Sequence, residues 1–344
     1  MLKIKNLIIT LLIYAVYAAQ PVFASPLAEK VIVLDPGHGA KNNSGQIVNG
    51  GCRSKAGLSE RDKTVGIAGI LSDMFLQQGS TVYFTRDKDN FWRSAESQDE
   101  DNRSRAEFAN SKKADLFLRI HCNWSPNKKQ RGVLILWYKN DSKKIAETVL
   151  EEIKKTGVRT EGVVKKHLVG FQYAEVPAIL IEYGYFSNKD DEKLLKDEKY
   201  IKKISGAVIK GLEKYFEDES KVVLKTDKLI YEPEDTIKFI VTNNSSEAIW
   251  IYETSELVGN FAEISRKIGE NKWEGIPLLQ WVATKIGTLK LKQGTEYVYL
   301  WHREKHREKR VDSGVYRVTL LYCFEQSTGS RVKKNITSNE FTIK

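Results

Sequence analysis

Three apolar runs of the sequence end in an ionisable side chain, and a fourth ionisable residue precedes a long helical pattern. The runs are Val31–Leu34 before His38, Leu116–Ile120 before His121, and Ala178–Ile181 before Glu182. The fourth residue, Glu60, lies in the loop 57–62. Two imidazoles and a carboxylate suit a catalytic Zn²⁺ site with three protein ligands and an open fourth position. The spacing alone leaves a structural role open for each residue, because no compact ligand motif such as H-E-x-x-H is present.

The elements that must position these residues alternate between short apolar strands and amphipathic helices. Such a pattern indicates an α/β domain with a largely parallel sheet that is covered on both sides. Ligands of open sheets bind beyond the carboxyl ends of the strands, so we expect the three strand ends to converge on one crevice. In chain order, the predicted strands are Val31–Leu34, Thr81–Thr85, Asp115–Ile120, Gly132–Trp137 and Ala178–Ile181, and the predicted helices are Lys63–Gln78, Asp101–Asn110, Asp141–Lys155 and Asp190–Phe216.

The composition of the chain changes after the polar run 217–220. From Val222 onward β-branched and aromatic residues dominate, and turn signals such as Asp312-Ser313-Gly314 interrupt them. Within Tyr316–Cys323 apolar residues alternate with polar ones over part of the run. Short strands at this spacing predict an all-β sandwich of about 120 residues behind the α/β domain.

The first residues indicate export. Lys3 and Lys5 precede the apolar run Leu7–Ala19, which is followed by the small-residue motif Val22-Phe23-Ala24. These are the three regions of a signal peptide, and the apolar run is too short to span a bilayer comfortably. We therefore expect cleavage near Ala24, a mature chain without a transmembrane helix, and a secreted, periplasmic or cell-envelope location.

The overall composition excludes several other classes. Hydrophobic residues make up 41% and charged residues 29% of the 344 residues, which is ordinary for a soluble globular protein. The net charge of +10 is interspersed along the chain, which favours a general attraction to anionic surfaces over a nucleic-acid groove. An exported protein is also poorly placed to bind nucleic acid, so we expect no such partner.

Several short blocks in the first part form one ordered pattern. The blocks are Asp35-Pro36-Gly37-His38-Gly39, Glu60-Arg61, Thr85-Arg86, Arg105 through Asn110, Ile120-His121-Cys122-Asn123, and Pro177 through Asn188. In this order they closely resemble the zinc-dependent N-acetylmuramoyl-L-alanine amidases of the amidase-3 family. The resemblance covers about residues 30–216. It implies a phosphorylase/hydrolase-like fold with a six-stranded mixed sheet flanked by helices.

By position, the resemblance also implies the site. His38, Glu60 and His121 would bind one zinc ion, Glu182 would be the catalytic carboxylate, and Asn123 would contact substrate. The expected reaction cleaves the amide between N-acetylmuramic acid and L-alanine of peptidoglycan, with zinc-activated water and Glu182 as general base and acid. Three positions depart from the family pattern without removing a ligand, and they bear on substrate preference: Ala40, Arg119 and Cys122.

A cysteine nucleophile is the competing chemistry, since Cys122 adjoins His121. Successive side chains of a strand point to opposite faces, so we expect Cys122 to point away from His121. A disulfide between Cys52 and Cys122 is more plausible than this nucleophile, but less so than two free thiols.

The second part resembles the immunoglobulin-like domain of the proteinase inhibitor BsuPI. The resemblance rests on the segments 229–235, 241–243, 314–316 and 338–341. It supports the fold rather than inhibition. The basic run His302–Arg310 is either a solvated loop tip, which we favour, or a contact for anionic wall polymer or phospholipid. Trp273 and Trp281 could stack on carbohydrate, although packing in the sandwich core is the commoner fate of such residues.

The sequence thus predicts a signal peptide at 1–24, a zinc amidase domain at 30–217 and a BsuPI-like domain at 222–344. The expected substrate is peptidoglycan, and residues 222–344 are the candidate contact for wall polymer or an envelope protein. Two alternatives remain: a catalytically silent wall-binding or proteinase-inhibiting protein, and a zinc carboxypeptidase that acts on stem peptides.

Overall fold

The computed structural model describes residues 25–86, 94–232, 234–254, 261–276, 286–301, 312–323 and 334–344. The predicted signal peptide, Trp281 and the basic run His302–Arg310 lie outside the described residues. Within the described ranges, no helix combines the length and the apolar character that crossing a membrane requires.

Six strands of the first part form one sheet. In chain order, this part contains β1 (Val31–Pro36), β2 (Ala40–Lys41), β3 (Ile47–Asn49), α1 (Glu60–Gln77), β4 (Thr81–Phe84), α2 (Gln98–Ser111), β5 (Leu116–Asn123), β6 (Val133–Trp137), α3 (Asn140–Lys155), β7 (Thr160–Lys165), α4 (Val169–Tyr173), β8 (Ala178–Tyr185), α5 (Lys189–Lys196) and α6 (Glu198–Ser220). The order across the sheet is β4-β1-β5-β8-β6-β7. Neighbours are parallel except for the antiparallel pair β6 and β8, which confirms a mixed, mostly parallel sheet with flanking helices.

Helices cover both faces of the sheet because its central strands are apolar on both sides. One face, which includes Leu34 and Ile120, packs against α1, α3 and α6. The other face, which includes Val33 and Phe117, packs against α2 and the short helix α4. The pleat therefore directs alternate residues of one strand into two separate cores. This arrangement leaves the carboxyl ends of β1, β5 and β8 beside one another.

The structure differs from the predicted elements in several places. Helix α1 begins at Glu60 rather than Lys63, so Glu60 belongs to the helix and not to the loop. The predicted helix Asp190–Phe216 is two helices, because Asp197 has extended backbone angles and its side chain caps α6 by accepting from the Lys199 N–H. Strands β2, β3 and β7 and helix α4 were not predicted. All four are short, and β7 is a half-exposed edge strand, so none has a strong apolar pattern.

The second part consists of β-strands in two sheets. Its strands are β9 (Val222–Thr226), β10 (Ile230–Tyr231), β11 (Ile237–Asn243), β12 (Ile249–Thr254), β13 (Phe261–Gly269), β14 (Lys272–Ile276), β15 (Ile286–Leu291), β16 (Thr295–Trp301), β17 (Gly314–Cys323), β18 (Lys334–Thr337) and β19 (Phe341–Ile343). Among the described residues, β16, β11 and β9 form one sheet, and the other eight strands form a second sheet around β17. Phe239 and Val241 of the first sheet share a core with Ile251 and Val318 of the second.

Polar contacts join the two parts where α6 leads into β9. Lys144 Nζ lies 2.7 Å from Asp218 Oδ2, and the same carboxylate accepts from the backbone and hydroxyl of Ser246 at 2.9 and 2.8 Å. Lys334 of β18 forms an ion pair with Glu219. The end of α6 is therefore held by residues of both parts.

The close crossing of α3 and α6 gives a test of the packing. A Cβ at Gly211 would lie 2.6 Å from Val149 Cα, whereas one at Gly206 of the same helix would meet nothing within 4 Å. We expect Gly211→Ala to lower the free energy of unfolding by about 1–3 kcal/mol, because the main chain at Val149 would have to move to make room for the added methyl group. The matched control Gly206→Ala should raise it by up to about 1 kcal/mol through helix propensity. Urea unfolding of the full chain measures both, and equal stabilities would contradict this crossing.

Candidate functional site

Three of the predicted residues converge at one end of the sheet. His38 follows β1, Glu60 begins α1, and His121 lies within β5 rather than after it. His38 Nε2 lies 3.0 Å and His121 Nδ1 3.2 Å from the same atom, Glu60 Oε1. One potential ligand atom from each residue lies within 4.8 Å of the others. The convergence inferred from the strand ends is therefore present.

Glu60 is held as a buried anion. Its Oε2 accepts from the Cys52 backbone N–H at 3.0 Å, and its Oε1 accepts from the Cys122 backbone N–H at 3.1 Å. Burial alone would raise the pKa of Glu60, but hydrogen bonds with His121 and His38 outweigh it and hold the pKa well below its usual range. The carboxylate is therefore available as a charged ligand.

His121 is a neutral imidazole confined by its surroundings. Burial lowers the pKa of His121 to about 4, so the ring is uncharged at neutral pH. A Cβ at Gly37 would lie 2.3–2.7 Å from three atoms of this ring, so only glycine leaves space for it. The Nε2 atom of His121 is buried and has no hydrogen-bond partner among the described residues. A buried nitrogen of this kind ordinarily needs a partner.

Glu182 lies beside the three converging residues, and its surroundings shift its pKa in the opposite direction from that of Glu60. It lies within β8 and pairs in register with His121 on β5, so both side chains project from the same face of the sheet. Its Oε2 atom is buried and has no partner in the described part of the chain. Burial and the nearby charge of Glu60 raise the pKa of Glu182 well above its usual value. These surroundings favour the protonated form of this carboxyl group, in contrast to Glu60.

His38 has a strained backbone that two buried arginines hold in place. Its φ of 68° is in the left-handed region, which costs a non-glycine residue about 1–3 kcal/mol. Arg105 donates from Nη2 to the His38 carbonyl at 2.8 Å and from Nη1 to the Pro36 carbonyl at 3.0 Å. Arg86 donates from Nη2 to the Gly37 carbonyl at 2.7 Å. These bonds fix the turn that presents the His38 ring.

The same guanidinium of Arg105 belongs to a buried charge network around Asp35. Asp35 accepts at 2.8 Å from both Arg105 and Arg119 and at 2.6 Å from the Thr85 hydroxyl. Arg105 also donates to Asp101 at 2.8 Å, one helical turn earlier on α2. Burial would raise the pKa of Asp35, but the charges of Arg105 and Arg119 and the hydrogen bonds from Thr85 and Arg105 hold it well below its usual range.

Sequence reasoning did not assign this network a role in the site. Asp35 and Arg105 were part of the family pattern, but Asp101 and Asn49 were not identified at all. The spacing of Asp101 and Arg105, four residues apart at the start of a helix, was the available signal for their ion pair. Asn49 had no comparable signal, because its contact with His38 depends on the hairpin of β2 and β3.

The departures from the family pattern have structural explanations at two positions. Arg119 directs its charge into the protein, since it donates to Asp35 and to Asn102 and its side chain is 4% exposed. Cys122 packs into the core on the opposite face from His121, and burial raises the pKa of its thiol well above the usual value. A thiolate nucleophile at Cys122 therefore has no support. Cys52 and Cys122 are free thiols, so the disulfide is absent.

Asn123 and Trp273 are less informative. Asn123 ends β5 and is half-buried, and its side-chain oxygen accepts from the Trp124 backbone N–H at 2.8 Å. Trp273 on β14 is outside the buried core of the second part, and the Arg317 guanidinium lies 4.2 Å from the centroid of its ring. Among the described residues, Trp273 is half-buried and not part of the core cluster, and its packing in the sandwich stays a prediction.

A sheet with a His-Glu-His group and a buried carboxyl at its carboxyl edge fits the class of metal-assisted α/β hydrolases. The profile of the amidase-3 family, described as N-acetylmuramoyl-L-alanine amidase, matches residues 32–214. This match covers more than half of the chain, which therefore belongs to the amidase-3 family.

Individual relatives match the same part of the chain. The probable cell wall amidase LytH of Staphylococcus saprophyticus is 30% identical over 196 residues, which are 57% of this chain and 61% of LytH. LytH of Staphylococcus aureus is 30% identical over 193 residues, covering 56% of this chain and 60% of that protein. The matches thus span less than two thirds of these relatives. The CwlD amidase of Clostridioides difficile, solved in complex with the GerS lipoprotein, is 28% identical with a TM-score of 0.49, covering 55% of this chain and 99% of that chain.

Replacing Arg105 tests the charge network. Arg105→Met leaves the buried carboxylate of Asp101 without its ion-pair partner and leaves Asp35 with Arg119 alone, and such losses cost about 3–5 kcal/mol. The matched control is Arg103→Met on the same helix, whose ion pair with Glu107 is exposed and contributes little. Urea unfolding should show a large loss of stability for Arg105→Met and almost none for the control. Similar urea midpoints for the two variants would contradict a stabilising role of the charge network.

Proposed function

We propose that this chain is a peptidoglycan hydrolase of the cell envelope that cleaves the amide between N-acetylmuramic acid and L-alanine. The observation that carries the proposal is the convergence of His38, Glu60 and His121 beside Glu182 in a member of the amidase-3 family. An amide is a difficult substrate because its carbonyl is a weak electrophile and its amine a poor leaving group. Its hydrolysis therefore needs both charge stabilisation at oxygen and proton transfer to nitrogen.

The three converging residues fit a zinc ion. Two neutral imidazoles and one carboxylate are a common donor set of catalytic zinc sites. The buried His121 Nε2, which has no hydrogen-bond partner among the described residues, supports a role of this atom as a metal ligand. When bound by His38, Glu60 and His121, zinc would supply a Lewis acid for the scissile carbonyl and promote ionisation of water. Glu60 would be the only anionic member of this set, so the site would keep a residual positive charge.

Glu182 would move the protons. Burial and the charge of Glu60 raise the pKa of Glu182, which favours proton uptake by this carboxyl group and supports a role as general base and then general acid. Its position in register with His121 would place it beside the scissile amide. Glu182 would take a proton from the attacking water and deliver it to the departing amine nitrogen. Glu60, whose pKa is lowered, would remain charged throughout.

The segment between the second histidine and the catalytic carboxylate bears on regulation. Some amidases of this family carry a helix inserted there that blocks the metal site. Residues 121–182 hold the end of β5, then β6, α3, β7, α4 and the start of β8. Of the two helices, α3 packs against α6 and α4 packs against α2. Both are used by the fold, which supports an enzyme that is active without an activator.

The second part, residues 222–344, would be an immunoglobulin-like domain that holds the enzyme at the wall. Two sheets with a shared core are consistent with this fold. In that role the basic run His302–Arg310 is the candidate contact for anionic wall polymer, whereas its other interpretation is a solvated loop tip. The residues 1–24 would direct export as a signal peptide and be removed near Ala24.

Four substitutions separate the proposed roles. His38→Ala, His121→Ala and Glu60→Ala each remove a ligand and should release most of the zinc, because three protein ligands leave no redundancy. Glu182→Gln keeps the size of the side chain but cannot take a proton. It should retain zinc and lose about 10²–10⁴-fold in rate. Zinc per protein and amide cleavage are measured on the same four purified variants.

Two outcomes would overturn these roles. A zinc-free Glu182→Gln variant would make Glu182 a ligand, and a fully active one would make it a structural carboxyl. Mass spectrometry of digested peptidoglycan identifies the bond that is cut. Glycan strands whose N-acetylmuramic acid residues have lost their peptides, together with stem peptides that start at L-alanine, support the amidase. Cleavage within the stem indicates a carboxypeptidase, and no cleavage indicates a silent binding protein.

Deleting residues 222–344 tests the role of the second part. We expect the shortened chain to turn over soluble peptidoglycan fragments normally but to sediment less with insoluble walls. The attachment should also weaken with salt, since exposed charges are screened beyond about 8 Å at physiological ionic strength. Unchanged sedimentation would refute a localising role. An assay against secreted proteases tests the resemblance to an inhibitor.

A further inference from the structure

A short hairpin places an amide against the ring of His38. Strands β2 and β3 pair antiparallel, and the Gly39 N–H donates to the Asn49 carbonyl at 2.6 Å. The hairpin thereby returns Asn49 to His38, eleven residues earlier in the chain. The side-chain oxygen of Asn49 lies 2.6 Å from His38 Nδ1, and Asn49 is 6% exposed. The contact is thus short and shielded from water.

The orientation of this amide is fixed by a second contact. Asn49 Nδ2 donates to Asp101 Oδ2 at 2.8 Å, and Asp101 Oδ1 accepts from Arg105 at 2.8 Å. An ionised carboxylate only accepts hydrogen bonds, so the NH₂ group of Asn49 must face Asp101. Its oxygen must then face His38 and can only accept. His38 Nδ1 therefore carries the hydrogen.

This tautomer leaves the other ring nitrogen as a lone-pair donor. The Nε2 atom of His38 faces Glu60 Oε1 at 3.0 Å. Two acceptors this close need a cation between them, either a second proton on the ring or a metal ion. Gly51 allows the arrangement, because a Cβ there would lie 2.8 Å from two atoms of the His38 ring. The ring is thus fixed in both rotation and tautomer.

We propose that Asn49 is a positioning residue that holds His38 with Nε2 free to bind the metal, and that Asp101 holds Asn49. The inference rests on the proposed function, because it assumes that His38 is a metal ligand. Outer partners of this kind usually change metal affinity by about 10–100-fold when they are replaced. The side chain of Asn49 contacts His38 and Asp101, so its effect on the metal passes through His38.

The first experiment reads the tautomer directly in the metal-free full chain. Long-range ¹H–¹⁵N spectra of histidine-labelled protein at mildly alkaline pH should assign the hydrogen of His38 to Nδ1. Asn49→Leu removes the acceptor and should give a mixture of the two tautomers. The control is Asn102→Leu, whose amide lies on the same helix as Asp101 but contacts Arg119 instead of His38. The control should keep the Nδ1 hydrogen.

The second experiment measures zinc dissociation constants by competition with a chromogenic chelator. Asn49→Leu should weaken zinc binding by about 10–100-fold. Asn102→Leu should leave zinc binding unchanged. Asn49→Asp alone places two carboxylates together and should also weaken binding. The double variant Asn49→Asp, Asp101→Asn exchanges the amide and the carboxylate, so that each hydrogen-bond donor again faces an acceptor. It should recover most of the zinc affinity.

The outcomes separate this inference from the proposed function. If the wild type binds no zinc, the proposed function fails, whereas the tautomer measurement still decides the role of Asn49. If Asn49→Leu keeps both the Nδ1 hydrogen and the wild-type zinc affinity, the inference is wrong. If Asn49→Leu does not fold, the zinc affinities of Asn49→Asp and of the double variant decide. A double variant that binds zinc no more tightly than Asn49→Asp would overturn the inference.

Discussion

The buried guanidinium of Arg105 is the interaction on which the rest of the site depends. It joins two carboxylates, Asp35 and Asp101, and two backbone carbonyls, those of Pro36 and His38. All three charged groups are withdrawn from water, where an uncompensated charge would be very costly. The charges must therefore stay together, and they keep α2 against the end of β1. The strained turn at His38 is tolerated because its surroundings leave the backbone no alternative.

Two carboxyl groups of one site acquire opposite properties from their surroundings. Glu60 receives two backbone N–H groups and contacts two imidazoles, which stabilise its charge. Glu182 has an unpartnered buried oxygen and a neighbouring negative charge, which favour its neutral form. Pairs of titratable groups whose pKa values are pushed apart commonly divide acid–base and charge-stabilising roles. The fold thus differentiates two chemically equivalent side chains by placing one at a helix start and the other inside a strand.

The main strands and the four ionisable residues could be read from the sequence because both depend on local order. Apolar runs such as Val31–Leu34 identify central strands, and the ordered blocks identify the family. The edge strand β7 is half-exposed and the helix α4 is only five residues long, so neither shows a long apolar pattern in the sequence. The contact between Asn49 and Asp101 joins segments 52 residues apart, which no spacing rule encodes, although the spacing of Asp101 and Arg105 signals their ion pair. The burial of Glu182, which raises its pKa, could not be predicted either, because it depends on how the strands assemble into the sheet.

The two hydrogen bonds that hold Glu60 come from the main chain at Cys52 and Cys122. Any amino acid except proline supplies the same N–H group, so the placement of this carboxylate does not depend on the thiols. Evolution can therefore vary both positions within the limits of packing while the carboxylate stays in place. For protein engineering, the same feature means that either cysteine can be replaced by alanine without removing a hydrogen bond of Glu60.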